Sequence, residues 1–452
     1  DSERTWTMDD MQTFERRVAT EVVQGMGPSE PVDDAAIFTA ITTTRSPKWR
    51  FQSMFSATKF VVAGAIVALF GGFLLSGVLT QPSAESVPAA ATSTPGTFSP
   101  AGALRDPRWL HTATLLPDGR ILVVGGHRDI DVWDPVATAE IWDPATESSA
   151  PAGWLAEPRE GHTATLLPDG RVLIVGGGEV GLESAEVWDP DTERFAPAGT
   201  TTHRHGYGHT ATLLPDGRVL IVGSFHWNSV TSPDKAEIWD PTTMTFEPAD
   251  MPDQGRGGHT ATLLPEGRVL FVGGDDNVSG VGPQEAPTQT WDAVSGSLEP
   301  AGTLAEGRVY HTATLLPDGR VVVLGGGGLD GAYGPNIPAA EIWDPVTASF
   351  STAGSLAQAR KAHTATLLPD GRVLVVGGND EVLTNSWWLG NLETGLDSVE
   401  AWDPGTGAFE PAASLAEGRF GHTATLLPDG RVLVLGGLSG GSTLASAEVW
   451  SP

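Results

Sequence analysis

Chemistry in this chain has to proceed without a thiol, because its 452 residues include no cysteine. Thiolate catalysis, disulfides, iron–sulfur clusters and Cys-ligated zinc are all excluded. Histidine is the richest candidate. The segment THRHGYGH brings His203, His205, Tyr207 and His209 together, and His226 follows in the next loop. Neutral imidazoles bind zinc, copper or nickel, so His203, His205 and His226 could hold a metal ion. Their spacing matches no established zinc motif, so a polar and aromatic loop without metal is the preferred reading, and no cofactor is expected. Two acidic runs, DDNVSG from Asp275 and NDE from Asn379, lack the EF-hand ligand pattern and read as short surface acids. Trp387 and Trp388 sit at the centre of the longest insertion, NDEVLTNSWWLGNLETGLDS. Exposed, such a pair would contact a sugar ring or a protein; packed, it would cap the domain.

The elements that must position these residues repeat. HTATLLPDGR recurs from His111, His162, His209, His259 (with Glu266 for Asp), His311, His363 and His422, at a period of about fifty residues. An apolar run ending in Gly-Gly follows each copy, then a variable loop, then a segment such as AEIWDP marked by Trp142, Trp188, Trp239, Trp291, Trp343, Trp402 and Trp450. These are the parts of a four-stranded antiparallel blade: HTATLL, a Pro-Asp-Gly turn, the apolar run, the Trp segment, and a short fourth strand carrying Phe195, Phe246, Leu298, Phe350 or Phe409. The last unit stops at AEVWSP without its fourth strand, while GTFSPAGAL at 96–104 is a fourth strand with no unit before it. The first strand should therefore complete the seventh blade and leave no free sheet edge.

A residue present in every unit serves the unit. The seven tag histidines should be satisfied hydrogen-bonding groups between blades, and the Arg three places before the tag (Arg108, Arg159, Arg256, Arg308, Arg360, Arg419) should pair with the Glu two before the Trp, near the blade edges. Function belongs where the pattern breaks. In a four-stranded blade, the loop joining strands two and three and the link to the next blade emerge on one face, with the Pro-Asp-Gly turns opposite. All four histidines outside the tag, His127 among them, fall on that variable face.

The Gly-Gly pair, the aromatic in AEIWDP, the later Phe and the Arg before strand one resemble the kelch family over residues 96–452. Trp stands here where kelch repeats often carry Tyr, and Phe where they often carry Trp. The resemblance implies an all-β, seven-bladed kelch-type propeller, a scaffold that hosts both enzymes and binding modules. Within the family, the stretch from Arg308 to Gly331 is similar to that of the copper radical oxidases of the galactose oxidase type, which would place their adjacent Tyr and His ligands on Tyr310 and His311. Those enzymes also need a Tyr–Cys cross-link, impossible here, and a further His from a following domain.

Ahead of the repeats, Phe60 to Leu79 runs twenty residues without a charge, which as a helix at ~1.5 Å per residue matches a hydrocarbon core of ~30 Å. Arg45, Lys48, Arg50 and Lys59 precede it, and no Lys or Arg follows until Arg105, so the N-terminus is expected in the cytoplasm and the propeller outside. Residues 1–59 carry Met11, Phe14, Val18 and Val22 at helical spacing, as one amphipathic helix suited to a solvated leader or a cytoplasmic partner. Residues 80–95, rich in Pro, Ala, Ser and Thr, suit a disordered stalk. A net charge of −30 disfavours nucleic acid. The function expected is an extracytoplasmic, non-catalytic binding module for a protein, peptide or glycan, with Tyr207, Tyr310, His311, Trp387 and Trp388 as ligand-face candidates. The alternative is a metal-dependent oxidase on the same scaffold.

Overall fold

The computed structural model describes residues 96–129, 134–178, 181–224, 236–249, 251, 256–275, 287–328, 334–380 and 395–452. The expected amphipathic helix, the span from Phe60 to Leu79, the stalk, His226, Trp387 and Trp388 lie outside them. Among the described residues no helix is long and apolar enough to cross a membrane.

Seven four-stranded antiparallel sheets make up the fold. Blade one shows the plan: Thr112–Leu115, Ile121–Val124, Thr138–Asp143 and Ser148–Trp154 pair in chain order. The first strands touch from blade to blade, and that of blade seven, Thr423–Leu426, returns to that of blade one, so they form the inner ring. Each second strand is a continuous apolar run because both of its faces are covered: Ile121, Leu122, Val123 and Val124 are fully buried, as are Val432 to Leu435. Burial at each such position stabilises by about 1.5–3 kcal/mol.

The core is accordingly divided into layers between blades. Leu122 and Val124 of blade one pack with Val172, Ile174 and Trp188 of blade two. Four of the layers are also stitched. Trp188 donates its indole N–H to the Ala152 carbonyl of the preceding blade at 3.0 Å, and Trp239, Trp343 and Trp402 do the same to Ala198, Ala301 and Ala353. Close approach demands glycine at the end of strand two. Gly125 has φ 59°, and a Cβ there would lie 2.8 Å from His162 Cε1 in the next blade.

Closure follows the strand count. Thr97–Ala103 pairs with Ser446–Ser451 and completes the seventh blade in the order expected from the two chain ends. Phe98 lies opposite Trp450, as Phe195 lies opposite Trp188 in blade two.

Candidate functional site

The seven tag histidines are structural. Each is buried, and each Nε2 bonds the Oγ1 of the tag threonine one blade earlier at 2.9–3.1 Å, from His162 on Thr112 around to His111 on Thr423. Burial, and then the charge of Arg108 beside it, pushes His111 down to about 3; burial and Arg308 do the same for His311. These imidazoles are neutral hinges between blades and are poorly placed to shuttle protons.

The Arg–Glu pairing also holds. At five entrances the pair is buried. Arg108 reaches Glu140 at 2.5 Å, Arg159 reaches Glu186 at 2.9 Å, and Arg308, Arg360 and Arg419 reach Glu341, Glu400 and Glu448 at 2.6–2.8 Å, with every guanidinium fully buried. In each, Nη1 donates to the carbonyl of the first glycine of the Gly-Gly pair, as Arg108 does to Gly125 at 2.8 Å. The carboxylate's other oxygen accepts the N–H of the incoming link, Arg105 in blade one and Ala156 in blade two. The pair therefore nails the link between blades to the sheet it enters.

Above these pairs the variable face closes over the axis. The residue before each tag histidine is left-handed, at Leu110 (φ 54°), Tyr310 (φ 54°) and Ala362 (φ 51°) and at glycine in the other four. Their backbones link from blade to blade: Leu110 N–H donates to Gly421 O at 3.0 Å, Gly161 to Leu110 at 2.9 Å, and Tyr310 to Gly258 at 3.0 Å. One position earlier the side chains fill the mouth. Trp109 meets Phe420 edge to face with centroids 6.1 Å apart, and His127, whose Nε2 accepts the Asp134 N–H at 3.1 Å, lies against the same indole. Across the axis, Tyr207 packs with Val309, Leu110 and Tyr310. Its hydroxyl donates to Glu160 at 2.5 Å, and both residues are buried.

The ligand-face candidates thus separate. Tyr207 and Tyr310 share one cluster at the mouth, whereas His311 is a tag histidine committed to Thr260 at 3.1 Å. Burial, and then the negative charge of Asp275, raises the Tyr310 phenol above its ordinary range and keeps it protonated. His203 and His205 do converge, on Glu237: His203 Nδ1 lies 3.2 Å and His205 Nε2 3.6 Å from Glu237 Oε1. Burial would raise Glu237, but the imidazole of His205, the Thr202 N–H and His203 outweigh it and hold the carboxyl below its usual range. Among the described residues no group of three or more His, Cys, Asp or Glu side chains is arranged to hold a metal ion.

One residue escaped the sequence reading. Trp154, at the variable-face end of the fourth strand of blade one, is 70% exposed. The signal was available, since the same position holds Ala103, Thr200, Thr303, Ser355 and Ser414 in other units.

Fold and repeat together define this chain as a kelch-type, seven-bladed β-propeller. No family model matches it. Human Kelch-like protein 33 is 29% identical over 149 residues, which is 33% of this chain and 25% of that protein, so the likeness spans a quarter of the relative's length. Among solved structures, a fungal alcohol oxidase of the AA5 family in complex with copper superposes at a TM-score of 0.63 with 19% identity, covering 79% of this chain and 77% of that one. At that identity the likeness is one of fold.

Proposed function

We propose that the propeller is a non-catalytic binding module that presents its variable face to a protein or glycan outside the cytoplasm, tethered through Phe60 to Leu79. The observation that carries this reading is Trp154. An indole left 70% exposed on that face, where other units carry a small residue, is the kind of anchor on which a partner surface or a sugar ring gains area at low entropic cost. The mouth supports it, because Trp109, Tyr207, Val309 and Phe420 fill the axis and leave recognition to the rim and loops.

A photo-crosslinking residue at position 154 of the full chain in its membrane should capture a partner from the outer side. One at Val346, 91% exposed in a turn on the opposite face, should not. Equal capture at both positions, or capture of cytoplasmic proteins only, would count against the proposal. The copper-oxidase alternative has the fold likeness in its favour and, against it, the engagement of His311 with Thr260. Copper reconstitution followed by a peroxide assay on primary alcohols tests it directly.

A further inference from the structure

The tryptophan stitches do not run all the way round the ring. Trp188, Trp239, Trp343 and Trp402 reach an alanine carbonyl of the preceding blade at 2.8–3.0 Å. Trp142, Trp291 and Trp450 are just as deeply buried, no more than 2% exposed, yet among the described residues their indole N–H groups have no partner. The layers left unstitched lie between blades three and four, six and seven, and seven and one. Stitches therefore join blades one to three into one group and blades four to six into another. Blade seven, completed by Thr97–Ala103, is stitched to neither.

The difference has a cause in the sequence. Each accepting alanine is followed by a glycine, and Gly153, Gly199, Gly302 and Gly354 all have φ of 91–97°. That left-handed angle sets the plane of the Ala–Gly peptide and with it the direction of the alanine carbonyl. At the unstitched layers the counterparts are Asp250 after Ala249 and Ala413 after Ala412, residue types for which such an angle is strained, and Gly102 after Ala101, at φ 78°. The layer between blades three and four differs once more, since Gln289 stands where the other entrances carry the Glu that meets the arginine. The histidine–threonine bond is common to all seven layers and makes no distinction among them.

The mouth is assembled across these layers. Tyr207 and Leu110, from the first group, pack on Val309 and Tyr310 of the second, and Trp109 meets Phe420 of blade seven. The bond from Tyr207 to Glu160 stays inside the first group. We infer that the propeller is two stitched three-blade bodies and a closure blade, that it yields first at the three unstitched layers, and that this movement parts the mouth over the axis. A buried donor left without an acceptor keeps its desolvation cost and returns nothing, so these layers resist separation least. The inference stands apart from the reading of the variable face as a binding surface.

The backbone links at the mouth supply the test, because each of six amides crosses one layer. Gly161, Tyr310 and Ala362 donate across stitched layers at 2.9, 3.0 and 3.3 Å, and Leu110, Gly258 and Gly421 across unstitched ones at 3.0, 2.9 and 3.4 Å. Hydrogen–deuterium exchange of the full chain, read residue by residue by mass spectrometry, should show protection at Leu110, Gly258 and Gly421 about five- to tenfold below that of the other three, the factor one buried hydrogen bond contributes. Trp188→Phe removes the stitch between blades one and two and should lower Gly161 by the same factor. Trp142→Phe has no bond to lose and should leave Leu110 where it was. Equal protection at all six amides, at whatever level, or lower protection at Gly161, Tyr310 and Ala362, would overturn the inference, as would equal effects of Trp188→Phe and Trp142→Phe. Should Trp188→Phe fail to fold, the six wild-type amides decide alone.

Discussion

The five entrances built on Arg–Glu pairs and those of blades three and four meet one requirement with different atoms. Each must tie the incoming link to a sheet whose second strand is wholly buried. Where the pair is intact, a permanent cation bridges a glycine carbonyl and a carboxylate. Blade three keeps the anion, Glu237, and supplies an imidazole. Blade four keeps the cation, Arg256, but has Gln289 where the Glu belongs, and Arg256 donates to its side-chain oxygen at 2.8 Å. The missing charge there is partly answered by Phe271, the lone aromatic at its position among the second strands, whose ring centroid lies 5.6 Å from the guanidinium carbon. Burial lowers Arg256 to about 10. The slot therefore tolerates exchange of either member, provided that something compensates the charge that stays.

Acid should have the largest effect, because it attacks what all seven blades share. The tag histidines are neutral in the fold, at about 3 for His111, His209, His311 and His363, against about 6.5 in an unfolded chain. Their contribution is complete above the unfolded value and is lost as pH falls toward the folded one, at up to about 1.4 kcal/mol per pH unit for each. Thermal scans between about pH 7 and about pH 4 should show a steep fall in melting temperature. A flat profile would mean that the histidine–threonine ring is not neutral.

Next comes a regular entrance. Arg360→Ala strands Glu400 in the interior and should cost about 3–5 kcal/mol in urea unfolding. The converse change in blade four, Gln289→Glu, puts a carboxylate where an amide oxygen now accepts from Arg256 and should stabilise by about 1–1.5 kcal/mol, the increment of a charged over a neutral hydrogen bond. If it destabilised instead, Phe271 would have to be counted as full compensation. Smallest is the opposite face, where Asp370 and Arg372 form a turn pair with half-exposed partners at 2.7 Å. Asp370→Asn should change stability by no more than about 1 kcal/mol, and salt should erase the difference.

Much of this could be read from the chain because repetition averages out accident. Seven copies of one segment identify the tag histidine, the Arg and the Glu as parts of the blade, and the unmatched strand at 96–104 foretells the closure seen at Thr97–Ala103. The candidate site was less legible. His203, His205 and Tyr207 stand out in the sequence as a break in the pattern, but a break does not say where its side chains go. His205 turns into the vacated arginine slot, while Tyr207, two residues on, crosses to Glu160 in the preceding link, 47 positions away.

Sequence alone determined the local terms: strand and turn, the alternation of buried and exposed faces, the blade count, and which charges are available. All of these depend on neighbours within one repeat. Tertiary structure decided whether a given polar atom has a partner. That depends on which backbone carbonyls and carboxylates the ring brings within about 3 Å, the reach of a hydrogen bond. Closing seven blades on an axis is what sets an imidazole between Gly223 and Glu237, seals the mouth with Tyr207 and Trp109, and leaves Trp154 outside.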